Sequence, residues 1–216
     1  MEQLKSFITR HDIFVFDVDD TLLYTFQNGF KKINLAAKEL GYQQISFESY
    51  AAHYGVDNFE DCIRCWFPNS DIESFKACYQ QMASKCPYLP VCDFSEIQKS
   101  LVQKGKLMAI LTNGSRNDKL LTKLRICNTD FNLLCGIWGK QDIPAPKPSP
   151  LAILPIKELF STKKILYIGD AKTDQEMATE ANISFLQVHS GKDAPFTGAH
   201  SISSLKDLQL LLRMEN

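Results

Sequence analysis

The sequence predicts an α/β fold: a doubly wound parallel sheet with a small helical domain inserted after the first strand. Three observations carry that reading. Short, nearly continuous apolar runs recur along the chain. Segments with helical spacing alternate with them. The alternation fails once, over a long stretch after the first run that reads as helix throughout. Apolar runs of this kind suit strands covered on both faces, and regular alternation of strand and helix builds a layered α/β domain.

The elements follow in order. Residues 12–17 (DIFVFD) are an apolar run ending in an acid, and 107–111 (LMAIL) and 164–168 (KILYI) are similar. Residues 133–138 (LLCGIW) and 184–188 (SFLQV) are weaker members of the series. Helical spacing marks residues 95–104, 116–126, 149–160, 173–181 and 204–213, with Pro155 expected to bend or break the third. Between the first two strands, residues 29–40 carry Phe30, Ile33, Leu35, Ala36, Ala37 and Leu40 and read as helix, and Gly41 supplies a C-terminal stop. Residues 46–66 and 71–84 continue as helix. That insertion is too long for a crossover. The division expected is residues 1–22 and 93–216 for the α/β core and 23–92 for the helical domain.

Composition narrows the function classes. The chain has 216 residues, 44% hydrophobic and 23% charged, with a formal net charge of -1. A length of this order buries a sizeable core without disulfides, and the composition is that of a soluble globular protein. The balanced charge lacks the basic footprint of a dedicated nucleic-acid binder. No apolar run approaches the ~20 residues that span a bilayer, and the N-terminus lacks the apolar stretch of an export signal. The 7 cysteines are therefore expected to be reduced, in the cytoplasm, as small buried hydrophobes. The partner expected is a small molecule, with no nucleic-acid polymer and no membrane, and the chain acts as a monomer or weak homodimer.

Four motifs carry chemistry. Phe16-Asp17-Val18-Asp19-Asp20-Thr21-Leu22 stands where the first strand ends, and alternation puts Asp17 and Asp19 on one side of an extended segment. Carboxylates forced together need a proton or a cation between them, and a hard cation such as Mg²⁺ suits oxygen ligands. The competing explanation is an acidic turn with Asp20 at a helix start. Thr112-Asn113-Gly114-Ser115 follows the strand LMAIL and offers a hydroxyl, an amide and open backbone N–H groups to a phosphate; taken alone, a plain strand-to-helix turn with Ser115 as N-cap accounts for it better. Lys147 sits among four alternating prolines, Pro144 to Pro150, that preset an extended backbone around one charge; a solvated loop lysine is the alternative. Ile168-Gly169-Asp170-Ala171-Lys172-Thr173-Asp174 again follows a strand, and its acids either serve a cation directly and through its shell or complement a helix N-terminus. Together the four put acids for a cation, and Lys147, Thr112 and Asn113 for a dianion, at one sheet edge.

With these four motifs in this order, the sequence resembles the haloacid dehalogenase-like (HAD) hydrolase superfamily from residue 12 to about 212. The helical insertion resembles its C1 cap, and the nearest type is a C1-capped phosphatase of the phosphoglycolate phosphatase or nucleotidase kind. The resemblance implies a Rossmannoid core and Mg²⁺-dependent hydrolysis of a small phosphate monoester: a sugar phosphate, phosphoglycolate or a nucleoside monophosphate. It implies that Asp17 attacks phosphorus to give an aspartyl-phosphate, and that Asp19 acts as general acid and then base. Thr112 and Lys147 would hold the phosphoryl oxygens, with help from Asn113. Mg²⁺ would be held by Asp17, the Asp19 backbone carbonyl and Asp170, with Asp174 orienting the metal's waters or Lys147. The cap would close over the core on linkers near residues 22–27 and 87–94. Asp20 and Asn182 stand where members often have glycine. Of these, Asn tolerates left-handed backbone at a helix stop.

Rival readings differ in definite features. Dehalogenases of the superfamily lack the second aspartate, present here as Asp19. Phosphonatases need a cap lysine; Lys31, Lys32 and Lys38 stand in the insertion, where exposed helix lysines are the ordinary explanation. A sugar-phosphate mutase shares the core motifs and is the main alternative inside the superfamily. A non-catalytic phosphate-binding module should have lost one of Asp17, Asp19, Lys147 or Asp170. In the insertion, Cys62 and Cys65 form a C-x-x-C pair with His53 and other cysteines nearby, but no second pair at zinc spacing accompanies it.

Overall fold

The computed structural model describes residues 2–54, 58–189 and 195–213 of the chain. It divides into two compact units, Met1–Leu23 with Pro90–Asn216, and Tyr24–Leu89.

The first unit holds a six-stranded all-parallel sheet of β1 (Ile13–Phe16), β2 (Leu107–Leu111), β3 (Gly136–Trp138), β4 (Ile165–Gly169), β5 (Ser184–Val188) and β6 (His200–Ile202), in the order β3-β2-β1-β4-β5-β6. The chain leaves β1 toward one edge and returns to its other side at β4, so β1 and β4 flank the point where the winding reverses. Ligands of open α/β sheets bind there, outside the strand carboxyl ends. Register aligns those ends: Phe16 of β1 is level with Ile110 of β2 and with Ile168 of β4.

The helices of this unit are α1 (Glu2–Thr9), α6 (Phe94–Gln103), α7 (Asp118–Ile126), α8 (Leu154–Leu159), α9 (Lys172–Glu180) and α10 (Leu205–Arg213). Alternation along the strands sorts the core into two faces. Ile13, Val15, Ala109, Leu111 and Tyr167 pack with Met177 and Ala178 of α9 and with Ile156 of α8. On the other face Phe16 meets Phe94 of α6 edge to face, ring centroids 4.9 Å apart. The central strands β1 and β4 are buried at every residue, which is why their sequences read as continuous apolar runs.

The second unit consists of α2 (Phe26–Glu39), α3 (Phe47–His53), α4 (Phe59–Trp66) and α5 (Ile72–Gln81). Its core is built on Ile33, Ala36 and Ala37 of α2 against Tyr50, Ile63 and Phe75. Gly29 inside α2 costs helix stability, about 1 kcal/mol relative to Ala, but a Cβ there would lie 2.1 Å from the Tyr50 hydroxyl. The Asn28 amide donates to the carbonyls of Cys86 and Pro87 at 2.7 and 2.9 Å, and Tyr24 N donates to Leu89 O at 3.0 Å. These bonds tie the start of the unit to its end.

Several expectations are corrected. Residues 46–66 form two helices: Ser46 caps α3 and Asn58 caps α4 through their side-chain oxygens. Residues 55–57 lie outside the described residues. The α7 helix starts at Asp118 with Asn117 as its N-cap, so Ser115 has no capping role. Residues 149–160 open with a 3₁₀ turn, Pro150–Ile153, before α8, and Pro155 sits in the first turn of α8, where its missing N–H costs nothing. The run 133–138 shortens to the edge strand β3, half-buried throughout. The strand β6 and the helix α1 carry no sequence signal that anticipates them. Asp20 caps no helix; it turns the chain with φ 57°, the left-handed region that favours glycine. Asn182 has φ 53° immediately after α9 and Ala181, as its type allows. All seven cysteines are free, but Cys65 and Cys135 are exposed and Cys92 is half-buried, so they are not uniformly core residues. No helix of the described residues is long and apolar enough to cross a membrane.

Candidate active site

The site is built from four strand ends. Asp17 follows the last residue of β1, and its backbone N–H still donates to Ile168 O of β4 at 2.9 Å. Thr112 follows β2, and its N–H donates to Trp138 O at 3.0 Å. Asp170 follows β4, and Asp174 lies in the first turn of α9. Lys147 arrives from the proline-rich segment after β3.

Lys147 is the centre of the arrangement. Its side chain is 4% exposed. The ammonium donates to Asp17 Oδ1 at 2.7 Å, to Asp174 Oδ1 at 2.6 Å and to the Tyr167 hydroxyl at 2.8 Å. Tyr167 passes its own proton to Leu111 O at 3.0 Å, which fixes the phenol as an acceptor toward Lys147. All three ammonium hydrogens are thus committed. Burial alone would lower the lysine's basicity, but the Asp17 and Asp174 carboxylates outweigh it and hold the ammonium well above the usual lysine range. Burial pushes the Tyr167 phenol well up, aided by Asp174.

Two residues hold Lys147 in place. The Asn113 side chain embraces its peptide group: Nδ2 donates to Lys147 O at 2.9 Å and Lys147 N donates to Oδ1 at 2.8 Å. Asp174 is fully buried and also accepts from Ala171 N at 3.1 Å. Gly169 makes that position possible, because a Cβ there would lie 2.2 Å from Asp174 Oδ2.

The acids are in excess. Carboxylate oxygens of Asp17, Asp170 and Asp174 lie within 4.8 Å of one another, around one ammonium. Burial drives the Asp17 carboxyl up to about 7 despite Lys147. Burial and the charges of Asp17, Asp174 and Asp20 push Asp170 well above the usual carboxylate range. Asp170 Oδ1 accepts from the Thr21 hydroxyl at 3.1 Å. Asp17 Oδ2 and Asp170 Oδ2 have no hydrogen-bond donor among the described residues. Three carboxylates less one ammonium leave two formal negative charges and free hard oxygen donors, which fits a divalent hard cation. Carboxyls raised by burial and by one another are relieved either by a retained proton or by a cation.

The sequence-derived candidates are not all in one contact network. Asp17, Lys147, Asn113, Asp170 and Asp174 converge, the last through Lys147. Thr112 is buried at the end of β2, its hydroxyl accepting from Gly114 N at 3.1 Å. Asp19 is turned to a different partner, the Lys123 ammonium on α7. Three participants escaped the sequence reading. Tyr167 is the one polar-tipped residue inside an apolar strand, three positions before Asp170, and that was its signal. Thr21 lay within the first motif. Lys123 looked like any lysine on an amphipathic helix. In the helical unit Cys65 Sγ lies 3.4 Å from His53 Nε2; no group of three metal-ligating side chains forms there among the described residues, where the acidic trio is the group found.

The fold and site together define a Rossmannoid α/β protein in which acids and one buried lysine meet at the switch point of a parallel sheet. Residues 14–188 match the family model for haloacid dehalogenase-like hydrolases, and the chain belongs to that family. A phosphoglycolate phosphatase of Rhodobacter capsulatus is 24% identical over 183 residues, 80% of this chain and 81% of that protein. Among solved structures, a provisionally assigned beta-phosphoglucomutase from Thermotoga maritima superposes with TM-score 0.77 at 18% identity, covering 94% of this chain and 98% of that one. A predicted phosphoglycolate phosphatase from Haemophilus somnus superposes with TM-score 0.74 at 18% identity, covering 94% and 99%. These likenesses establish the fold.

Proposed function

We propose that the protein hydrolyses a small phosphate monoester through an aspartyl-phosphate on Asp17, with Mg²⁺ as cofactor. The observation that carries this reading is the Lys147 ammonium held between Asp17 and Asp174, with Asp170 beside them and two negative charges left over. Phosphoryl transfer needs positioning and charge neutralisation more than elaborate covalent chemistry, and this arrangement provides both.

Asp17 Oδ2, the oxygen not bonded to Lys147, attacks phosphorus as the P–O bond to the alcohol breaks. The leaving alkoxide takes a proton from Asp19, whose carboxyl must first turn from the Lys123 ammonium to the leaving oxygen. Water then attacks the phosphorus of the acyl phosphate, giving its proton to Asp19, and the O–P bond to Asp17 breaks to release phosphate. Thr112 donates its hydroxyl to a phosphoryl oxygen, and Lys147 aims the nucleophile and favours its ionised form against burial. Asn113 and Asp174 hold Lys147. Asp17, Asp170 and the Asp19 backbone carbonyl would hold Mg²⁺, whose charge draws the phosphate dianion to an anionic nucleophile. We assign the unit Tyr24–Leu89 the role of a cap that selects the alcohol part of the ester.

The test is phosphate release from a panel of sugar phosphates, phosphoglycolate and nucleoside monophosphates, with and without Mg²⁺, using Asp17→Asn protein as the blank. Mg²⁺-dependent release from a preferred ester, absent in the blank, supports the proposal. Folded protein that releases no phosphate above the blank refutes hydrolysis and favours transfer between positions of a sugar phosphate.

A further inference from the structure

At the opposite edge of the same sheet, a cavity of about 420 Å³ opens below the strand amino ends. Arg10 and His11 precede β1, Ile165 begins β4 and Ser184 begins β5, and all four line it. Asp17 and Asp170 lie at the other ends of β1 and β4, roughly 16 Å away at the rise of a five-residue strand. The two sites share strands and no residues.

The lining is basic. Arg10, Lys157, Lys163 and Lys164 surround the opening, and no lining residue is acidic. In a chain of net charge -1, four cations on one concavity are a marked local excess. None of the four pairs with a carboxylate among the described residues. Arg10 lies over the Phe7 ring at 4.9 Å, and Lys157 Nζ donates to Ala181 O at 2.8 Å. The acid nearest in sequence, Asp12, accepts from the backbone N–H of Lys164, at 2.9 Å. That bond, helped by the charges of Lys163 and Lys164, holds the Asp12 carboxyl below its ordinary range, though neither ammonium forms an ion pair with it, and both lysines are exposed. Apolar surface lies between the charges: Phe160 and Ile183 both line the cavity and both pack against the core.

We propose that this cavity binds an organic phosphate carrying two or more negative charges, of nucleotide size, at a site separate from the acidic centre. The volume falls in the range of small-molecule sites, ~300–1,000 Å³. Four cations with one acid, Asp12, beside them still carry a net positive charge, and a polyanion relieves their repulsion while making charge-assisted hydrogen bonds. Phe160 and Ile183 offer a flat apolar wall to the organic part. A lone inorganic ion would leave that wall unused. A nucleic-acid strand or an anionic membrane would need cations spread over a wider surface than this one concavity.

The experiment is calorimetric titration of the full chain with ATP, with pyrophosphate and with inorganic phosphate, at low and physiological salt. It is run on the wild type, on Asp17→Asn and on the double variant Lys163→Glu/Lys164→Glu. Both lysines are exposed and outside the acidic centre, so the double variant is expected to fold and to keep its phosphatase rate. The expected result is salt-dependent ATP binding, tighter than pyrophosphate, unchanged in Asp17→Asn and weakened by roughly tenfold per reversed charge. Binding lost in Asp17→Asn but kept in the double variant places the ligand at the acidic centre and overturns the proposal. No heat with any probe at physiological salt also overturns it, as does binding confined to an RNA oligomer or to anionic vesicles in parallel runs. A lowered melting temperature of the double variant with unchanged ATP affinity assigns the lysines to the helix ends alone, and refutes the site.

Discussion

Lys147→Met removes one ammonium and nearly preserves side-chain volume, so its cost is electrostatic. In the wild type the Nζ atom lies 2.7 Å from Asp17 and 2.6 Å from Asp174, and those side chains are 8% and 0% exposed. Removing one partner of a buried ion pair costs ~3–5 kcal/mol, because the other charge is left behind. Here two carboxylates are left behind, so the upper end of that range is expected at pH 8. At pH 5 the loss is smaller. Burial already holds the Asp17 carboxyl as the acid up to about 7, and a protonated Asp17 needs no counter-charge. What remains is closer to the ~1–3 kcal/mol of an unsatisfied buried polar group. Urea denaturation in divalent-free buffer at the two pH values measures both numbers. A loss below about 1 kcal/mol at pH 8, or equal losses at pH 5 and pH 8, would refute the reasoning, since either would mean that the ammonium is not neutralising the acids.

Three further predictions follow from the same geometry. The wild-type protein in divalent-free buffer should lose stability as pH rises from about 4 to about 7, because Asp17 retains a proton in the native state that the unfolded chain, at the ordinary carboxyl value of 3.8, has released; thermal melting across that window checks it, and added Mg²⁺ should flatten the slope. Gly169→Ala should lower phosphate release by ~10²-fold, since a Cβ 2.2 Å from Asp174 Oδ2 displaces the residue that aims Lys147, and misplacements of about 1 Å carry penalties of that size; steady-state kinetics with a melting curve separates this from unfolding. Asn28→Ala should destabilise the helical unit by ~1–3 kcal/mol, because two backbone carbonyls lose a buried donor; a urea midpoint that does not move would contradict it.

The parts of the site legible in the sequence are those where chemistry and local structure coincide. Asp17, Thr112 and Asp170 each follow an apolar run, and a run of that kind announces both a strand and its end. The Pro-rich setting of Lys147 announced a fixed backbone. Asn182 announced a left-handed stop. What the sequence concealed lay where a residue's neighbours are remote. Lys123 shows only the pattern of a solvated helix, yet its partner is Asp19, 104 positions earlier. The division of residues 46–66 had a local signal, since Gly55 is a breaker and Asn58 a capping type, and each is a single-residue event inside a long helical stretch. The exposed lysines of the basic cavity, Lys163 and Lys164, look like ordinary loop charges in the sequence.

The sequence by itself determined the strand–helix alternation, the helical insertion and the four strand-end motifs, because apolar periodicity and turn chemistry act between residues a few positions apart. Only the tertiary structure decided which charges meet. The parallel register that sets Phe16 level with Ile110 and Ile168 brings Asp17, Thr112 and Asp170 to one edge. The same register gathers Arg10, Lys157, Lys163 and Lys164 at the other. Pairing across more than a hundred residues depends on how the strands are laid side by side, and no local preference along the chain encodes that.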